Sequence, residues 1–136
     1  MESLACPFAT VDRILEREAG NYDIALMDIH AESTSEKIAL GRYFDGRISV
    51  IFGTHTHVPT ADEQILPNGS GYITDLGMAG PVNSVIGSDV KAVIDRMRTK
   101  ISGRLSVADG DIAVTGALFE VDTSTKKVTH VTRVKF

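Results

Sequence analysis

The sequence predicts an α/β fold: a parallel strand pair bridged by a helix, then an antiparallel meander. Two observations predict it. Apolar runs at residues 23–29 and 47–52 enclose a segment with helix-capping chemistry, and strand–helix–strand order is the mark of parallel pairing in a layered sheet. In the C-terminal third, strand-like segments are separated by turn residues, the pattern of antiparallel neighbours.

Each element has a local reason. Residues 8–19 place Val11, Ile14, Leu15 and Ala19 on one helical face, and Gly20 is a good C-terminal stop. Residues 23–29 are a short apolar run, read as a buried strand. Ser33 and Glu36 form a capping box, and Ile38, Ala39 and Tyr43 continue that helix. Residues 47–52 are the second buried strand. Residues 54–62 are polar, contain Pro59 and read as a loop. Residues 63–66 and 72–74 flank Pro67-Asn-Gly-Ser-Gly71, a hairpin signal. Residues 76–87 are glycine-rich and are expected to form an ordered loop. Ser88 is expected to cap a helix running to about Lys100, with Val90, Val93, Ile94 and Met97 inward. Strands are then expected at 103–108, 112–122 and 127–135, joined by turns at Asp109-Gly110 and Asp122-Thr-Ser-Thr-Lys126. No repeat, linker or low-complexity stretch divides the chain, so residues 1–136 read as a single domain.

Composition narrows the function classes. Of 136 residues, 43% are apolar and 24% charged, the balance of a soluble globular protein. No run approaches the roughly 20 apolar residues of a membrane span, and MESLACPF lacks the basic and apolar regions of a signal peptide. The net charge of −4, without a basic stripe, argues against a nucleic-acid groove. The single Cys6 excludes an internal disulfide and suits a reducing cytoplasm. Beside Pro7 it reads as a small buried residue rather than a reactive thiol.

Three histidines occupy one kind of place. His30 ends the first strand; His55 and His57 follow the second, in Gly53-Thr-His-Thr-His57. In a parallel sheet, ligands gather outside the carboxyl ends of the strands. His-Thr-His in an extended loop points both imidazoles to one side, and neutral imidazole is a common ligand for zinc, iron and manganese. A lone histidine at a strand end is more often a hydrogen-bonded structural residue; the His-x-His pair with His30 beside it favours a metal site. His130 lies on a polar strand face and reads as solvated. Asp28 either orients a histidine or makes a structural hydrogen bond to a loop. Glu32 reads first as a helix N-terminal charge, and Asp62 and Asp75 as turn closers. No phosphate-loop pattern and no Gly-x-Ser-x-Gly elbow is present, so nucleophilic serine or cysteine chemistry is unsupported.

The runs Asp28-Ile-His-Ala-Glu-Ser-Thr-Ser-Glu-Lys37, Gly53-Thr-His-Thr-His-Val-Pro-Thr-Ala-Asp62 and Tyr72-Ile-Thr-Asp-Leu-Gly-Met-Ala-Gly-Pro81 closely resemble the YmdB-like family. This is a branch of the calcineurin-like metallophosphoesterases, associated with hydrolysis of 2′,3′-cyclic nucleotides and other phosphodiesters. The resemblance implies the C-terminal portion of a sandwich of two sheets flanked by helices, built around a dinuclear site. It implies that His30 and His55 share one metal and that His57 serves the other. The two metals, drawn from iron, manganese or zinc, would clamp the phosphate and activate a hydroxide.

The departure from the family is large. The Gly-Asp-Val turn, the Glu-Asn pair and the Asn-His pair of its N-terminal half are absent, so no catalytic residue beyond the metal ligands is expected here. The chain is expected to be the C-terminal part of a longer enzyme, by truncation, cleavage or a split gene. Its central strands would expose an edge and an apolar face, so it is expected to self-associate or to need the missing half. Two alternatives stay open. One is a catalytically inactive remnant serving as a binding or assembly module. The other is a mononuclear site of His30, His55 and His57 with water.

Overall fold

The computed structural model describes residues 5–136. In chain order its elements are α1 (Pro7–Arg17), β1 (Leu26–His30), α2 (Thr34–Tyr43), β2 (Val50–Thr54), β3 (Gln64–Ile65), β4 (Gly71–Ile73), β5 (Ala79–Pro81), α3 (Val90–Thr99), β6 (Ile112–Asp122) and β7 (Lys127–Lys135). The strands form two sheets, ordered β1-β2-β4-β3 and β5-β6-β7.

The first sheet follows from its connections. The helical crossover through α2 lets β1 and β2 run parallel, with Leu26 opposite Val50 and His30 opposite Thr54. β4 joins β2 in parallel, and β3 folds back on β4 as the expected hairpin. Ser33 caps α2 by accepting from the Glu36 N–H. Between this sheet and the helices lies the core of Ile29, Leu40, Phe44, Ile48, Ile51, Leu66 and Tyr72, with Phe8, Val11 and Leu15 of α1 packed against it. Burying each of the larger side chains contributes about 1.5–3 kcal/mol. The second sheet is tied on by the Val128 N–H donating to the Gly69 carbonyl, and by the Arg133–Glu63 ion pair at 2.8 Å.

Several expectations need correction. Residues 103–108 form no strand; they contribute only a bridge between Val107 and Ser88. The third strand of the antiparallel sheet is instead β5, from the glycine-rich segment expected to be a loop. Its Ala-Gly-Pro sequence carries no strand signal, and pairing with residues 112–114 of β6 alone makes it one. The cap of α3 is Asp89, which accepts from the Ala92 N–H at 2.8 Å, because Ser88 is engaged in that bridge. On α3 only Val93 is buried; Ile94 and Met97 face outward. Cys6 is exposed, not buried.

β1 lies at the edge of its sheet. Leu26 on it is 65% exposed. An apolar cavity of about 350 Å³ opens between α1 and β1, lined by Val11, Ile14, Leu15, Leu26 and Met27 among others. His130 is solvated on β7. Among the described residues no helix is long and apolar enough to cross a membrane.

One glycine sets the sheet spacing beside the site. A Cβ on Gly53 would stand 1.9 Å from the Thr74 carbonyl oxygen, which is backbone and cannot yield. The Leu76 N–H donates to the Gly53 carbonyl from the same segment. Gly53→Ala is therefore expected to destabilise the chain by about 3 kcal/mol or more. Urea denaturation measures it, and an unchanged midpoint would contradict the account.

Candidate metal centre

Register brings the first pair together. With β1 and β2 parallel, His30 ends beside Thr54, and His55 follows directly. The Thr54 hydroxyl donates to Asp28 Oδ1 at 2.8 Å, so its one proton is used. It therefore accepts from His30 Nδ1 at 2.9 Å. This leaves His30 Nε2 with its lone pair free. On the other ring, His55 Nε2 lies 2.8 Å from Glu32 Oε2. A carboxylate only accepts, so that nitrogen carries a proton, and in the neutral ring His55 Nδ1 has the lone pair.

These two lone-pair nitrogens face each other at 3.2 Å, with the rings at 87° to one another. With both rings neutral, two acceptors at that distance repel unless a cation lies between them, whether a metal ion or the single added proton that would make the contact a hydrogen bond. Metal–imidazole bonds of about 2.0–2.1 Å would give two nitrogens 3.2 Å apart an angle of about 100° at a shared ion, which suits tetrahedral or octahedral coordination. The pair thus fits two corners of a metal shell.

His57 stands apart. Its Nδ1 donates to the Ile86 carbonyl at 3.0 Å, which leaves Nε2 free on the opposite edge of the ring. Among the described residues, no group of three or more His, Cys, Asp and Glu side chains gathers to hold a metal. A single site formed by all three histidines is therefore not what the geometry offers.

The loop is not extended, so the expectation that an extended His-Thr-His points both imidazoles to one side does not hold. His55 has φ 113° and His57 φ 64°, both in the left-handed region that non-glycine residues rarely enter. Such strain is about 1–3 kcal/mol per residue and persists only where the surroundings over-determine it. Here Thr56, between the two histidines, donates its N–H to Asp75 Oδ2 at 3.0 Å. Asp75 is wholly buried and pairs with Lys37 Nζ at 2.8 Å; Lys37 is equally buried. The Gly77 N–H completes the acceptor set on Asp75 Oδ1. Burial pushes the Asp75 carboxyl up, but the hydrogen bonds from Lys37, Gly77 and Thr56 outweigh it and hold it below the ordinary aspartate range. Asp62 behaves alike: burial raises it, and hydrogen bonds from Thr60 and Thr74 bring it down.

Several of these residues carry a sequence signal that points elsewhere. Asp75 and Asp62 look like turn closers but anchor the loop. Lys37 carries no distinguishing signal of its own in the sequence. Glu32 lies before the α2 cap and contacts His55 instead; its spacing of two from His30 at one strand end was the available signal. Thr54 stood out only as a neighbour of the histidines.

The anchor makes a stability prediction. Lys37→Met leaves Asp75 buried without its partner and is expected to cost about 3–5 kcal/mol. Because the folded-state pKa of Asp75 is depressed, its contribution is present above the unfolded value and is lost as pH falls through the folded one. Urea midpoints of the unaltered chain are thus expected to drop below about pH 4, and to drop less in Asp75→Asn. Equal acid sensitivity in the two would contradict this.

Known proteins resemble the chain along nearly its whole length. A family model described as "YmdB-like protein" matches residues 1–134. The chain is 44% identical over 128 residues to a protein of Bacillus subtilis named 2′,3′-cyclic-nucleotide 2′-phosphodiesterase, covering 94% of this chain and 48% of that one. A crystal structure described as a novel phosphatase from Mycoplasma pneumoniae superposes with a TM-score of 0.91 at 39% identity, over 98% of this chain and 47% of that one. A hypothetical protein from Thermus thermophilus gives 0.91 at 38%, over 100% and 52%. The chain thus spans about half the length of the relatives it matches. With His30, Thr54 and His55 at adjacent strand ends and a family match along nearly its whole length, the chain belongs to the YmdB-like protein family.

Proposed function

We propose that this chain carries the histidine half of a two-metal phosphodiesterase centre acting on phosphodiesters, 2′,3′-cyclic nucleotides in particular. The observation that carries the reading is the 3.2 Å approach of two imidazole nitrogens, His30 Nε2 and His55 Nδ1, at adjacent strand ends. The name of the Bacillus subtilis relative supports the substrate class.

His30 and His55 would hold one metal and His57 Nε2 the other. Iron, manganese and zinc all suit imidazole. Bound there, the metals would supply Lewis-acid stabilisation of the phosphate and a water acidic enough to attack it. The rest is done by this chain. Asp28 acts through Thr54 to fix the His30 tautomer. Glu32 does the same for His55 and raises its basicity. The Ile86 carbonyl orients His57.

Both nearby carboxylates are thus used on histidines. Neutral imidazoles alone leave the charge of two metals uncompensated. On this reading the remaining ligands come from another polypeptide segment, either the part of the longer relatives that this chain does not match or a second copy of this chain. The free β1 edge, which ends in His30, is where such a segment would join.

The lack of a three-ligand group among the described residues also favours a second reading. In it, the chain is an inactive remnant that serves as a binding or assembly module. Reconstitution decides between them. The chain, combined with the N-terminal half of the Bacillus subtilis relative, is expected to bind two metal ions per complex and to hydrolyse 2′,3′-cyclic AMP. His55→Ala should abolish both. Thr54→Val, which breaks the relay to Asp28 but leaves the ligands in place, should weaken metal binding by about 10–100-fold. A folded complex that takes up no metal would leave the remnant reading standing.

A further inference from the structure

The carbonyl that orients His57 belongs to an unusual turn. Val85 and Ser88 exchange backbone hydrogen bonds at 2.9 and 3.0 Å, so Ile86 and Gly87 form a two-residue hairpin turn. Both have positive φ, 47° and 100°, as a type I′ turn demands. Asn-Gly is the favoured pair for this turn. A β-branched residue with positive φ is an outlier, so Ile86 is conformationally the wrong residue. It does not recover that loss by burial, being 55% exposed. The turn itself is held from outside: the Gly87 N–H donates to Ser84 Oγ, and the Gly87 carbonyl accepts from Ala108.

The Ile86 side chain helps to line a cavity of about 440 Å³, walled by Val85, Met97 and Leu105 and rimmed by Arg96 and Lys100. Met97 is 64% exposed, so the wall is apolar and open. Neither Arg96 nor Lys100 forms an ion pair among the described residues. Ser88 and Ser102 add hydroxyls to the lining. This is the makeup of a site for a flat, partly polar ring: apolar walls, a few hydroxyls, and two cationic side chains. The volume falls within the usual range for a small-molecule site. Position supplies the rest. Ile86 accepts from His57 Nδ1 through its carbonyl and also lines the cavity, so a single residue separates the cavity from the His57 ring.

We infer that this cavity receives the nucleobase of the phosphodiester whose phosphate sits at the histidines, with Ile86 as a specificity-determining contact. The inference rests on the phosphodiesterase reading and names the part of its substrate recognised apart from phosphate. Arg96 offers a guanidinium plane for stacking, and Lys100 complements the phosphate charge.

The test uses the chain itself, ¹⁵N-labelled, titrated with adenosine and with uridine to about 10 mM, which reaches millimolar affinities. Saturable shifts are expected at residues 85–88, Met97 and Leu105, with none from ribose or inorganic phosphate. Ile86→Asn is expected to weaken nucleoside binding roughly tenfold. The same change should raise the melting temperature by about 3 °C, because Asn suits the turn. Four results would overturn the inference: no nucleoside shifts, equal shifts from ribose or phosphate, undiminished affinity in Ile86→Asn, or a melting temperature that falls. A fifth is shifts that depend on chain concentration but not on nucleoside, which would make a second copy the occupant. Nucleosides carry no phosphodiester and need no metal. Failure here therefore leaves the metal and hydrolysis results untouched, and nucleoside binding by a complex that takes no metal would sink the phosphodiesterase reading alone.

Discussion

The site hangs from one buried ion pair. Lys37 on α2 and Asp75 after β4 meet at 2.8 Å with almost no access to solvent. Taking two charges out of water is unfavourable unless their remaining hydrogen-bonding capacity is met. Asp75 meets it with the N–H groups of Gly77 and Thr56. Meeting it places Thr56, and the histidines on either side of Thr56 follow. The same carboxylate that neutralises Lys37 thus holds a loop whose backbone would not choose its own conformation. A well-packed apolar pair in place of Lys37 and Asp75 would satisfy the core equally well, but it would offer Thr56 no acceptor. The pair is better understood as a device that fixes the loop than as a source of stability.

Around that anchor, each imidazole is set by a different partner. His30 is set by Thr54 and Asp28, His55 by Glu32, and His57 by the Ile86 carbonyl. Each ring is thus oriented by a partner of its own, while no group of three or more metal-ligating side chains gathers among the described residues. That division explains why the site looks incomplete as a cluster and complete as a set of oriented imidazoles. The exposed β1 edge repeats the pattern at the level of the sheet: its register against β2 is settled, and its other side is open.

The fold was legible where pattern and structure act over the same range. The parallel crossover, the Ser33 cap and the Pro67–Gly71 hairpin are each specified by a few adjacent residues. So was the placement of His30 and His55 at neighbouring strand ends, because parallel pairing alone brings them there. What was not legible depends on distant partners. Nothing in Ala79-Gly-Pro81 says strand until β6 lies beside it. Nothing distinguishes Lys37 from a solvated lysine until Asp75, far along the chain, arrives underneath α2. The bend at His55 was invisible for the same reason, since it is imposed by Asp75 through Thr56. Sequence pattern reports period and caps; it does not report which buried charge will be answered by which backbone N–H.

The strained residues point the same way. Of the non-glycine residues with positive φ among those described, His55, His57 and Ile86 fall in the site or directly on it. Two of them hold ring nitrogens in place, and the third lends its carbonyl to one of those rings. Each conformation is unfavourable locally and is maintained by hydrogen bonds from elsewhere in the fold. A loop free to relax would return the histidines to extended geometry and separate His30 from His55. The strain therefore belongs to the arrangement of the ligands themselves. The bonds that maintain it run to Asp75 and through the turn at Ile86 and Gly87, so the scaffold sets the geometry in which the imidazoles are presented.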